Sequence, residues 1–212
     1  MGRTKDFFIE AEHAKATSMD RSRSPADRAQ KRLAPVKEWT FVRTSQEGKT
    51  WGISHGGKSI DLTLPGVYSP FELSSFNENP RKTLTLRLPK EWDHPFDCLE
   101  ACLVHEVQEQ SFRFFGSPQT QEQVLEGYKC ISKKNGDYPR HLKVKVNTVG
   151  LQSVRYWDKD KKRMATPQSH EGLLFTAKVV LRSLWFSEDV WGLVADATDL
   201  MLQEESNIEC PF

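Results

Sequence analysis

Tyr138-Pro139-Arg140-His141-Leu142-Lys143-Val144-Lys145-Val146 is the stretch on which the fold is decided. Leu142, Val144 and Val146 alternate with Lys143 and Lys145. That period of two predicts a strand with its apolar side chains on one face and both ammonium groups on the other. Upstream, Tyr128–Ser132 is a second strand, separated from the first by Asn135-Gly136, a strong hairpin signal. Downstream come Val149–Trp157 and two long strands, Leu173–Phe186 and Val190–Leu202, which meet at Ser187-Glu188-Asp189.

The same alternation runs on the N-terminal side. Ile60, Leu62 and Leu64 form one strand, which Pro65-Gly66 is expected to stop, and Leu84, Leu86 and Leu88 form another, ended by Pro89. Between these strands and the opening stretch the period changes. Phe96, Leu99, Leu103 and Val107 recur at helical spacing, with Asp93 as the cap signal before Pro95. A shorter helix around Val124 and Leu125 opens at Ser117-Pro118 and closes at Gly127. The reading is a β-rich (α+β) domain over 36–202 with a helical insertion over about 94–127, compatible with an OB-fold-like barrel. Residues 1–35, poor in large apolar groups apart from Phe7-Phe8-Ile9, read as a disordered arm, and 203–212 as an acidic tail.

The chain has 212 residues, a length that suits one domain with a tail at each end. No apolar run approaches a membrane span and the start lacks a secretory signal, so the expectation is an intracellular protein without a membrane. Net charge is +1, from 30 Lys+Arg against 29 Asp+Glu, but the charge is segregated. Residues 128–163 hold 11 basic and 3 acidic groups, whereas after Arg182 there are 7 acids and no Lys or Arg. Such asymmetry points to a polyanionic partner.

Three chemistries are weighed and set aside. Gly52-Ile53-Ser54-His55-Gly56-Gly57-Lys58-Ser59 matches a phosphate-binding loop, and Gly192–Asp196 a loose magnesium-binding strand. Such a loop needs a helix to start at its Lys, and here a strand follows Ser59. The expected structure is a hairpin with His55-Gly56-Gly57-Lys58 as its turn, which leaves an NTPase using Lys58 as a remote alternative. The histidines are scattered, no Ser or Cys lies in a nucleophile elbow, and the chain does not read as an enzyme. Cys98, Cys102, Cys130 and Cys210 have no zinc spacing. Despite His94 and His105 near the first two, the expectation is buried thiols and no metal or other cofactor.

The basic block carries the functional expectation. Lys129, Lys133, Lys134, Arg140, Lys143, Lys145, Arg155, Lys159, Lys161, Lys162 and Arg163 would neutralise phosphates. Tyr156 or Trp157, with Trp185, would stack unpaired bases. Cations that track phosphates, beside exposed rings, are what single-strand binding requires. Strand alternation allows at most one of Tyr156 and Trp157 to face outward. At the end, Glu204, Glu205, Glu209 and Phe212 make a short acidic segment that could compete for the basic groove or dock in a partner.

With these residues in view, the chain over Val36 to Gln203 resembles the single-stranded DNA-binding proteins of nucleocytoplasmic large DNA viruses, relatives of the T7-type phage protein. The resemblance rests on segments in order: Gly57–Leu62, Leu64-Pro65-Gly66, Ser69-Pro70-Phe71, Ser111–Gly116, Tyr138–Val146, Leu184-Trp185-Phe186 and Trp191-Gly192-Leu193. It implies an OB-fold, single-stranded DNA binding in replication or recombination, no catalysis, and a viral protein at a nuclear or cytoplasmic replication site. The Pro-Phe end resembles the acidic tails with which bacterial single-strand binders recruit replication proteins. RNA as a ligand and a homo-oligomer are both compatible with this reading. Asp196 and Asp199 depart from the family pattern in the last strand. The rival from another class is a viral coat-like β-sandwich.

Overall fold

The computed structural model describes residues 39–44, 49–75 and 79–203. The arm expected over 1–35 and the tail residues Glu204, Glu205, Glu209 and Phe212 lie outside the described residues. The first strands are β1 (Trp39–Arg43), β2 (Thr50–His55), β3 (Ile60–Tyr68) and β4 (Arg81–Arg87). Three helices follow: α1 (Asp93–Glu109), α2 (Ser111–Phe115) and α3 (Gln121–Gly127). Next come β5 (Tyr128–Lys129), β6 (Ser132–Lys133), β7 (His141–Asn147), β8 (Arg155–Trp157) and β9 (Arg163–Met164). The long strands β10 (Leu174–Ser187) and β11 (Val190–Leu202) complete the order.

Five of these strands close a ring. β3 pairs β4, β4 pairs β7 and β10 pairs both β3 and β11, all antiparallel, while β7 meets β11 in parallel at Lys145 and Asp196. In chain order the ring runs first, second, third, fifth, fourth, first: the strand order of an OB-fold-like barrel. One sheet closed on itself is not the pair of stacked sheets that a coat-like sandwich needs. Alternation supplies the core, because Leu84, Leu86, Leu142, Val144, Val146 and Leu64 point inward and are sealed. Burying each such side chain is worth roughly 1.5–3 kcal/mol.

The single edge of β11 opposite β10 receives three segments in turn: β5 at Trp191–Gly192, β7 at Asp196 and β8 at Asp199–Met201. β2 lies alongside the far half of β10, at Ser183–Trp185, and carries β1 on its outer side.

The helical insertion sits between the second and third ring strands. Phe96, Leu99, Leu103 and Val107 of α1 are buried. α2 sends Phe114 against Phe41, Trp51 and Phe186. α3 starts on a capping box between Thr120 and Gln123. The Trp191 indole donates to the Val124 carbonyl at 2.7 Å, tying α3 to β11. No helix among the described residues is long and apolar enough to cross a membrane.

Several local expectations are corrected. β3 runs through Pro65-Gly66: Leu64 faces Ala177 and Val67 faces Phe175, so two residues oppose one in a bulge. Gly66 there has φ 66°, and a bulge also tolerates the missing proline N–H. Asp93 does not cap α1; a short 3-10 turn at Lys90–Trp92 precedes the helix, and Trp92 is the N-cap. The strand expected over 149–157 is only Arg155–Trp157, because a turn at Gly150 occupies its first half. The hairpin around Gly136 forms between β6 and β7, while β5 leaves for β11. Leu125 is exposed, and Cys98, Cys102 and Cys130 are half-buried rather than buried.

Candidate nucleic-acid interface

β4 and β7 run antiparallel in unbroken register from Arg81 opposite Asn147 to Arg87 opposite His141. Leu84, Leu86, Leu142, Val144 and Val146 fill the inward positions, with Lys82 half-buried opposite Val146 at one end, so the residues between face out together. Lys143 stands opposite Thr85, and Lys145 opposite Thr83, to whose hydroxyl it donates at 2.9 Å. Arg81 and Arg87 stand at either end of the same row. The sequence reading missed these two arginines, although Arg81, Thr83, Thr85 and Arg87 follow the alternation that exposed Lys143 and Lys145. Lys133, opposite His141, is exposed at the near end of this face.

The face continues across β11. Asp196, opposite Lys145, accepts from Arg81 at 2.6 Å and from Arg182 at 3.2 Å. Its carboxylate gathers cations and neutralises part of the row. Asp199, opposite Arg155, holds a second cluster. Arg155 donates to it at 2.8 Å and pairs with it through Nε at 2.7 Å, while the Trp157 indole donates at 2.9 Å and the Thr198 hydroxyl at 3.0 Å. Burial alone would raise the Asp199 carboxyl, but the bonds from Arg155, Trp157 and Thr198 outweigh it and hold it below its usual range. The same pairing raises the Arg155 guanidinium. That guanidinium lies 6.0 Å from the centre of the half-buried Trp157 ring. Arg163 stands opposite Trp157 on β9, and Lys159, Lys161 and Lys162 fill the exposed turn between β8 and β9.

Other expected site residues are elsewhere. Arg140 is 4% exposed, sealed between α1 and the β6–β7 hairpin. Its guanidinium bonds Asp97, donates to the Ser132 hydroxyl at 2.7 Å and lies 3.5 Å from Asp93 and 4.0 Å from Glu100. Arg140 is therefore a buried staple and not a phosphate contact. Lys134 pairs with Asp93 at 2.7 Å, which commits its charge to the same helix. Tyr156 is inside the barrel at 2% exposure, with its hydroxyl 2.7 Å from His170 Nε2. Burial pushes its phenol up to about 12. Trp157 is thus the outward member of the pair. Trp185 is half-buried and lies over Gly192, where a Cβ would come within 2.8 Å of its Nε1. Lys129, exposed on β5, belongs to that same end of β11, beside Asp189.

The Gly52–Ser59 segment is strand, turn and strand. His55 and Lys58 exchange backbone bonds of 2.9 and 3.0 Å around Gly56 and Gly57, whose φ values are 55° and 73°. No helix starts at Lys58, so nothing aims a row of N–H groups at a phosphate there. Among the described residues no three His, Cys, Asp or Glu are grouped to hold a metal. Burial and the bond to Glu100 push the Cys130 thiol up to about 11.

No family model and no curated protein sequence matches the chain. Among solved structures it is similar to the single-stranded DNA-binding protein from bacteriophage Enc34 in complex with ssDNA. That likeness has 10% identity, covers 77% of this chain and 95% of that one, and has a TM-score of 0.47. A C-terminal truncation of the same phage protein gives 8% identity over 80% and 96%, with a TM-score of 0.47. The single-stranded DNA binding protein gp2.5 encoded by bacteriophage T7 gives 16% identity over 68% and 86%, with a TM-score of 0.43.

Proposed function

We propose that the protein binds single-stranded DNA across the outer face of β4, β7 and β8, without a chemical step. The observation that supports this reading is the shared register of Arg81, Arg87, Lys143 and Lys145 on two adjacent strands, all directed outward. Outward residues two apart on a strand are separated by roughly 7 Å, so a stretched strand meets one cation after another. Trp157 offers a ring at the end of the row, the β8–β9 turn adds Lys161 and Lys162, and β9 adds Arg163. In this reading the protein coats DNA in replication or recombination at a viral replication site, as a relative of the large-DNA-virus proteins. The acidic stretch from Glu204 to Phe212 recruits other proteins and competes with phosphate for the face.

Titration with oligo-dT, followed by tryptophan quenching across a salt series, tests the reading. Affinity should fall steeply with salt, by about 0.7 in log–log slope for each phosphate neutralised on a single strand. The K143A/K145A protein should bind more weakly and lose roughly 1.4 of that slope. Quenching indifferent to salt, or a slope that survives the double substitution, would reject the face. A parallel titration with oligo-U reports the sugar preference, since stacking and phosphate contacts serve both polymers.

A further inference from the structure

We infer that Asp199 is a positioning residue that holds Trp157 as a fixed base-stacking platform, although its charge opposes the ligand. The inference rests on the single-strand reading above and goes further by assigning a role to a carboxylate on a cationic face. The geometry makes the case. Asp199 accepts the Trp157 indole N–H at 2.9 Å and an Arg155 N–H at 2.8 Å, and pairs with Arg155 Nε at 2.7 Å. One carboxylate therefore fixes the edge of the ring and also the guanidinium 6.0 Å from its centre. Backbone pairing sets the same geometry, because Arg155 and Trp157 flank inward Tyr156, whose hydroxyl is anchored on buried His170. β8 therefore cannot roll to turn the ring away. The carboxylate stays ionised across the neutral range, since its bonds keep its pKa low.

Two effects compete at this position, and they have opposite signs. Removing a carboxylate from the face relieves repulsion of phosphate, and freeing Arg155 adds a cation, so simple electrostatics predicts tighter binding. That gain is one charge beside the several cations of the face, and salt screens it beyond about 8 Å. Losing an ordered ring forfeits a stacking contact, a loss of about ten-fold or more in affinity when such a ring is removed. Ring order wins, and binding weakens.

The test is oligo-dT affinity of the full chain for D199A, D199N, W157A and D199A/W157A, with thermal melts to confirm folding. D199A should bind about ten-fold more weakly than the unaltered protein. D199A/W157A should be no weaker than W157A alone, because the two residues act through one ring. D199N keeps an oxygen that can accept the indole N–H and should recover most of the loss, which also covers the case in which D199A fails to fold. Subtracting the W157F spectrum isolates Trp157 emission, which D199A should shift to the red in the DNA-free protein. Tighter or unchanged binding by D199A overturns the inference, as do additive losses in the double variant; should D199A not fold, a D199N protein that binds no better than W157A overturns it instead. Failure of the unaltered protein to bind oligo-dT at low salt is a separate result that removes the single-strand reading itself.

Discussion

Three positions separate Arg140 from Lys143, yet one is sealed against α1 and the other stands in solvent. Block charge alone cannot distinguish them. The distinguishing signal lies in the helix: Asp93, Asp97 and Glu100 recur at i, i+4 and i+7, an acidic stripe that needs a cation. Arg140 answers it, and the Ser132 hydroxyl passes a bond on to Glu100 at 2.7 Å. Removing one member of a buried ion pair typically costs about 3–5 kcal/mol, because the remaining charges lose their partner. Arg140→Ala should therefore lower the urea midpoint sharply while the folded protein keeps its oligo-dT affinity. Loss of affinity at unchanged stability would put Arg140 back on the interface. Lys143 and Lys145 were legible because each is flanked by apolar residues on a regular strand. Arg81 and Arg87 carry the same alternation in β4 and were passed over because they lie outside the basic block.

Strand identity was written in the periodicity of β4, β7, β10 and β11, but strand pairing was not. The parallel contact of β7 with β11 rests on one register pair, Lys145 with Asp196, far apart in the chain. No local pattern encodes such a partner. Pro65-Gly66 misled for a related reason: both residues are poor in a flat strand and acceptable in a bulge, and only the facing strand decides between these. The docking of the helical insertion depends on a residue with no side chain. A Cβ on Gly127 would come within 2.1 Å of the Asp189 carbonyl oxygen in the β10–β11 turn. That obstacle is backbone and cannot swing aside. Gly127→Ala should lower the melting temperature by several degrees, in line with overpacking costs of about 1–3 kcal/mol. A melt unchanged by this substitution would show that α3 does not depend on that contact.

At the scale of the molecule, pH acts through groups that the barrel holds neutral. His170 is buried, and desolvation lowers its pKa, with Glu72 opposing and Lys82 assisting. Desolvation, helped by Arg87, lowers His141 as well. Both folded values lie below the unfolded one, so the unfolded chain takes up protons first as pH falls. Stability is therefore fully present above about pH 6.5 and declines from there until the folded values are passed. The urea midpoint should drop between pH 7.5 and 5, and His170→Asn should flatten that drop. An unchanged slope in the variant would mean that His170 is not held neutral.

β11 is also the last of the ring strands along the chain, and it alone supplies the edge that β5, β7 and β8 share. Translation runs from the N-terminus, so every other stave is already made while the seam stays open. The nascent polypeptide can lock only after Leu202 has cleared the ribosome; a stop codon at 190 leaves three segments with no edge to join, and one at 198 still strands β8.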